Sequence, residues 1–256
     1  MEEINNLIEA FLKQKNLINN KNVVAVFAFG SRVSNTNSNN SDLDLQLIFN
    51  TPTNRRGATK INNVVVEYYY NTIESIINLE KLYYNNNSPL FARSLQQIYI
   101  YKNENHTVEK IKEMLKSTFD YNTFPQKNEL YMQNQLIVAY NRLLDLNALK
   151  DKNSDEFYYL YYLTLERLKD FYCELFNFNK MEAGRYNKFF ENSPNYQITK
   201  RIDAPFEILF KNCFPVSNPE DNFNKIQKLF EYIIQISPIK LDFNEYEIDF
   251  NKIEIK

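Results

Sequence analysis

Asp42, Asp44 and Glu67 are the acidic residues whose placement could do chemistry, because each interrupts a run that otherwise reads as buried strand. In a strand, residues i and i+2 point to the same side, so Asp42 and Asp44 present their carboxylates together while Leu43 and Leu45 enter the core. Two like charges held that close repel unless a cation lies between them. A divalent ion that prefers hard oxygen, Mg2+ above all, is the natural third party. Glu67 lies within VVVEYYY and shares a side with Val65 and Tyr69. A buried, unpaired carboxylate is costly there, so it needs a cation or a donor. A hairpin through Gly57 would set Glu67 beside the aspartates as a third metal-facing carboxylate.

Upstream, the apolar run Val23 to Phe29 ends in Gly30 and Ser31, and the chain has only three glycines. Glycine takes positive φ and admits a bulky ligand at no steric cost, so its use here points to a phosphate-binding turn. The Gly30 and Ser31 amides and the Ser31 hydroxyl would hold terminal phosphates, helped by a helix N-terminus if one begins there. Arg32 would add charge to the same end. Three carboxylates beside such a turn suit a two-metal displacement on a nucleoside triphosphate, with two Mg2+ ions roughly 3.5 to 4 Å apart. One ion would lower the pKa of an attacking hydroxyl, and the other would grip the triphosphate and stabilise departing pyrophosphate.

The elements that must position these groups are legible as periodicity. Ile4, Leu7, Ile8, Phe11 and Leu12 recur at helical spacing and predict an opening amphipathic helix. Val23 to Phe29 predicts a strand, and the alternation through Asp42 to Phe49 a second one. TPTNRRGATK reads as a polar hairpin with Pro52 and Gly57, and KINNVVVEYYYN as a third strand. Helices are expected over 72–84, 88–97 and 108–119, with a short strand at 98–101. From about residue 125 the pattern turns to long helices, the second of them (DEFYYLYYLTLERLKDFYCELF) apolar nearly all round like the centre of a bundle. Shorter helices are expected over 186–191, 196–210 and 221–236. The alternating tail after Ile239 reads as docked or frayed.

The pattern is therefore α+β, with strands and helices over 1–122 and long helices with a tail over 123–256. A net charge of −2 and pI near 5.7 argue against a partner made of long nucleic acid, since neutralising many phosphates needs clustered Lys and Arg. Cys173 and Cys213, the only cysteines, give neither a disulfide framework nor a zinc site. The acidic start and the lack of a long apolar run predict a cytoplasmic chain with no membrane partner, as a monomer or homodimer. His106, the only histidine, sits at an apparent helix start, and Arg55 and Arg56 at an exposed hairpin tip. Phe157, Tyr158, Tyr159, Tyr161 and Tyr162 read as core packing rather than an acceptor pocket.

FGSRVSNTNSNNSDLDL resembles the signature of the polymerase-β-like nucleotidyltransferase superfamily: Gly-Ser after the first strand, Asp-x-Asp on the second, a further acid on a later strand. The group it looks most like is the small bacterial nucleotidyltransferases, including aminoglycoside and lincosamide nucleotidyltransferases and minimal ones paired with HEPN proteins. The resemblance spans residues 23 to 70. It implies transfer of AMP from ATP, with Mg2+, onto a hydroxyl, by a nucleotidyltransferase catalytic domain over 1–122 whose mixed sheet is flanked by helices, followed over 123–256 by an all-helical bundle domain that helps form the acceptor pocket. Carried over by position, Asp42 and Asp44 are metal ligands, Glu67 is a third ligand or the base, and Gly30 and Ser31 bind phosphate. One departure is Asn35, where many relatives carry glycine; Asn tolerates the left-handed conformation better than most residues.

The expected activity is metal-dependent transfer of a nucleoside monophosphate, from ATP or another nucleoside triphosphate, onto the hydroxyl of a small molecule, an antibiotic among the candidates. Two alternatives stand beside it: nucleotidylation of a protein or RNA in a toxin–antitoxin or defence system, and a nucleotide-binding module without turnover. Glu129 and Glu166 of the helical half compete with Glu67 as the base.

Overall fold

The computed structural model describes residues 2–34, 41–152, 154–180, 190, 202–214 and 217–243. The chain divides into two compact units, Met1–Tyr121 and Asn122–Lys256.

In the first unit, α1 (Glu2–Gln14) buries Leu7, Ile8, Phe11 and Leu12, which lie on one helical stripe. Five strands follow in a mixed sheet: β1 (Val23–Phe29), β2 (Leu43–Phe49), β3 (Asn54–Ile61), β4 (Val64–Asn71) and β5 (Tyr99–Asn103). Their order is β3-β4-β2-β1-β5. The pair β2 and β4 is parallel, and the other neighbours are antiparallel. Because strand side chains alternate, each face has its own core. Val26, Ala28, Leu43, Leu45, Leu47 and Val66 pack under α1. Ala25, Phe27 and Ile48 pack on the opposite face, against α2 (Ile73–Asn85), α3 (Phe91–Ser94) and α4 (Thr107–Thr118). Asp42, Asp44 and Gln46 share the parity of Ile48, so they belong to this second face.

The expected hairpin through Gly57 is not what forms. Asn54–Ile61 is a strand in its own right, and the reversal to β4 occurs at Asn62 and Asn63, with φ of 47° and 65°. Two consecutive residues with positive φ make the mirror-image turn that matches strand twist, and Asn tolerates that conformation. Gly57 serves a different need. It pairs with Tyr68, whose ring lies across it so closely that a Cβ there would collide with the phenol. An edge-strand glycine is covered in this way by a cross-strand aromatic ring. The extra strand also changes the direction of β4, which runs parallel to β2 instead of antiparallel. The helix expected over 88–97 shrinks to four residues, and its start is set where the buried Glu80 carboxylate accepts the amides of Leu90, Phe91 and Ala92 at 2.9, 2.8 and 3.1 Å.

The second unit is helical: α5 (Glu129–Leu149), α6 (Asp155–Leu175), α7 (Ala204–Asn212) and α8 (Pro219–Ile236). The core is formed by Leu136, Leu143, Tyr161, Leu168, Phe206 and Ile226 with their neighbours. Contrary to expectation, α6 is not buried all round, since Tyr159 is 69% and Tyr162 45% exposed while Phe157 and Tyr161 are fully buried. The period of 3.6 residues sorts those aromatics onto different faces. The carboxylate of Asp203 caps α7 by accepting the amide of Phe206 at 2.7 Å, and it also accepts the hydroxyls of Tyr172 and of Tyr232. Phe243 docks on Tyr140, with ring centres 4.6 Å apart. Residues 244–256 of the tail, most of the helix expected over 186–191, and 196–201 of the next one lie outside the described residues. Among the described residues no helix is long and apolar enough to cross a membrane.

Candidate active site

The site is built at the end of β1 and the beginning of β2, on the face opposite α1. Phe29, the last residue of β1, pairs with Asp44. The next residue, Gly30, turns the chain with φ of 83°, and a Cβ built on it would collide with Oδ2 of Asp44. Both conditions exclude a side chain there. The Gly30 carbonyl accepts the amides of Val33 and Ser34 at 3.2 and 3.1 Å, which closes a turn over 31–34.

Arg32 does not point freely toward a ligand. Its Nε donates to the Ser41 carbonyl at 2.7 Å and its Nη1 to Glu3 at 3.1 Å, with the side chain only 9% exposed. It ties the turn and the start of α1 to the residue that precedes Asp42, which makes it a brace of the site in this structure.

Asp42 immediately precedes β2 and Asp44 is its second residue, both half-buried, while Leu43 and Leu45 are fully buried on the other face. The parallel register sets Asp44 against Glu67. The structure thus brings the three sequence-predicted carboxylates together: one ligand oxygen from each of Asp42, Asp44 and Glu67 lies within 4.8 Å of the others. Three carboxylate oxygens from two adjacent strands are a donor set of the hardness that Mg2+ takes, and the spread is one that a divalent ion can bridge.

Glu67 has two further partners. Its Oε2 accepts Nη2 of Arg56 at 2.7 Å and the Tyr69 hydroxyl at 3.1 Å. The hydrogen bond from Arg56 holds the Glu67 carboxyl below the usual carboxylate range; the Tyr69 bond and the Arg56 charge act the same way, against partial burial. Burial pushes the Tyr69 phenol up to about 12, so it stays a donor. The Arg56 guanidinium also lies over the Tyr69 ring, 5.3 Å from its centre. Arg56 is therefore a strand residue beside the acidic cluster, not a loop tip, and Arg55 opposite Tyr70 points to the other face.

Beneath the carboxylates runs a polar ladder with no counterpart among the expected site residues. Gln46 is 1% exposed, and its amide nitrogen donates to the Tyr69 carbonyl at 3.0 Å and to Oδ1 of Asn71 at 2.9 Å. Asn71 in turn donates to Asn54 at 3.1 Å, so one chain of side-chain bonds crosses β2, β4 and β3. The available signal was the parity of Gln46 with Asp42 and Asp44 inside an apolar strand. His106 stands at the exposed start of α4, and Glu166 pairs with Lys169 at 2.5 Å on α6 of the second unit, where Glu129 opens α5.

A search among curated proteins finds no match. Among solved structures, a nucleotidyltransferase-like protein from Exiguobacterium sibiricum 255-15 is similar, with 11% identity and a TM-score of 0.45 over 90% of this chain and 76% of the other. The family model described as polymerase beta, nucleotidyltransferase matches residues 13–106, a span that contains every residue from Gly30 to Arg56 and Glu67 discussed above. The resemblance read from the sequence is borne out over that span, residues 13–106, where the chain matches the polymerase beta nucleotidyltransferase family.

Proposed function

We propose that this protein is a metal-dependent nucleotidyltransferase that moves a nucleoside monophosphate, AMP from ATP in the first instance, onto a hydroxyl of a small molecule. The observation that carries the reading is the convergence of Asp42, Asp44 and Glu67 within 4.8 Å, next to a glycine turn packed against Asp44. Asp42, Asp44 and Glu67 would hold Mg2+, which when bound neutralises phosphate charge and makes a hydroxyl more acidic. The Ser31 amide and hydroxyl have no partner among the described residues and would take a terminal phosphate. Glu67, tied by Arg56 and Tyr69 and held below the usual carboxylate range, suits a ligand better than a proton acceptor.

In the reaction the acceptor oxygen bonds to the α-phosphorus as the bond from that phosphorus to the β-phosphate oxygen breaks. Pyrophosphate leaves with the electron pair, and the hydroxyl proton passes to solvent. The test is release of pyrophosphate from ATP and Mg2+ with a panel of hydroxylated small molecules, antibiotics among them, followed by detection of the adenylylated product. Turnover that is abolished by chelator and by D42N and D44N is expected. Turnover that survives both substitutions would overturn the reading.

A further inference from the structure

The order of strands across the site separates the two ends of a transfer reaction. Gly30 and Ser31 follow β1 on one side of β2, whereas Glu67 on β4 and Arg56 on β3 lie on the other side. Phosphoryl and nucleotidyl displacements place the attacking and leaving oxygens roughly in line. If the turn at Gly30 and Ser31 takes the leaving pyrophosphate, as proposed above, the acceptor hydroxyl approaches from the Glu67 and Arg56 side. The inference therefore rests on that reading of the donor half.

That flank is chemically specific. The Arg56 side chain is 67% exposed, yet it is fixed at two points, by Glu67 at 2.7 Å and by the Tyr69 ring below it. A guanidinium carries five N–H donors in a rigid fork, and among the described residues Arg56 makes one bond to a carboxylate. The remaining donors of this mostly exposed side chain are open to solvent beside the Tyr69 ring, an arrangement that matches a planar or tetrahedral oxyanion. An ammonium-rich molecule would have to set its charges beside Arg56, and like charges in contact disfavour binding.

We infer that the acceptor binds on the Arg56 and Tyr69 side of the acidic cluster, and that it carries an anionic group, phosphate or carboxylate, near the reacting hydroxyl. A polycationic aminoglycoside does not fit that flank. Arg56 is thus a residue that selects the acceptor by charge.

The experiment is calorimetric. Wild type, R56A and R56K are each first saturated with Mg2+ and a nonhydrolysable ATP analogue, then titrated with glycerol 3-phosphate, glycerol or kanamycin. Glycerol 3-phosphate should bind the wild type, bind R56A at least roughly tenfold more weakly, and bind R56K with an intermediate loss, because lysine keeps the charge but not the fork. Neutral glycerol should be indifferent to the substitution. Equal affinity of glycerol 3-phosphate for wild type and R56A overturns the inference, as does its failure to bind the wild type or tighter binding of kanamycin. A loss confined to analogue uptake in R56A would assign the guanidinium to the triphosphate and overturn it too. Failure of the wild type to take up the analogue with Mg2+ is a separate result, which refutes the donor reading and takes this inference down with it.

Discussion

Gly30 and Asp44 are packed so closely that no other residue type fits at position 30: its φ is 83°, and a Cβ there would overlap Oδ2 of Asp44, with Cγ only 3.3 Å away. The turn and the carboxylate are therefore one unit. The glycine is required by the carboxylate as much as by any ligand.

G30A should accordingly damage both fold and site. A strained φ for a residue with a Cβ costs of order 1–3 kcal/mol, and relief of the overlap must move Asp44. Denaturant unfolding should show a loss of that size, and Mn2+ binding followed by electron paramagnetic resonance should weaken as well. A variant as stable as the wild type with unchanged Mn2+ affinity would show that the turn and Asp44 are independent.

The acidic cluster should behave oppositely with and without metal. In metal-free protein the half-buried Asp42 and Asp44 repel each other and Glu67, so D42N and D44N should leave thermal stability unchanged or slightly raised. Ligand binding to the native state stabilises by about 2.7 kcal/mol at a hundredfold excess over Kd, and only the wild type should gain this with Mg2+ and nucleotide. Thermal melts with and without chelator decide it. A melting point of D44N that rises with Mg2+ as far as that of the wild type would remove Asp44 from the metal set.

Gln46 gives a structural counterpart. Q46L keeps the volume of the side chain but leaves Oδ1 of Asn71 and the Tyr69 carbonyl without their buried donor. Unsatisfied buried acceptors cost about 1–3 kcal/mol, so the loss should lie in that range. Because the ladder crosses three strands, amide exchange should quicken at Gln46, Asn71 and Asn54 together, and a change at Gln46 alone would show that the ladder is not cooperative.

How far the sequence carries can be judged from these same residues. Strands β1 and β2 were legible because a period of two with an apolar face is unambiguous, and it put Asp42 and Asp44 on one side. Glu67 was legible as a carboxylate inside a run that wants burial. Strand β3 was not, because Asn54, Arg55 and Arg56 are exposed on an edge and offer no apolar alternation to read. Gly57 was mistaken for a turn residue for the same reason: nothing local reveals the Tyr68 ring lying over it. Missing β3 reversed the direction of β4 and hid the contact between Arg56 and Glu67, although the side of the sheet that Glu67 occupies did not change. Gln46 was passed over because a lone glutamine has no signature apart from its parity with the aspartates.

The two thiols supply a test of the helical unit that is independent of its function. Cys173 and Cys213 are both outside any disulfide and fully buried, and burial pushes the Cys213 thiol up to about 11. Thiolate is the reactive form, so neither cysteine should react with a disulfide reagent at pH 8 in native protein, and both should react after unfolding in guanidinium. The same shift predicts a pH dependence of stability. A pKa raised on folding contributes stability that is fully present below the unfolded value of about 8.5 and is lost as pH rises through the folded value. Unfolding free energy should therefore fall between about pH 8.5 and the folded value near 11. C213A lacks the titrating group and should show a shallower fall over that window, from a lower starting stability because of the cavity it leaves. Native-state labelling at pH 8, or an equally steep alkaline loss in C213A, would mean that the packing around Tyr161 and Cys213 opens far more readily than the structure indicates.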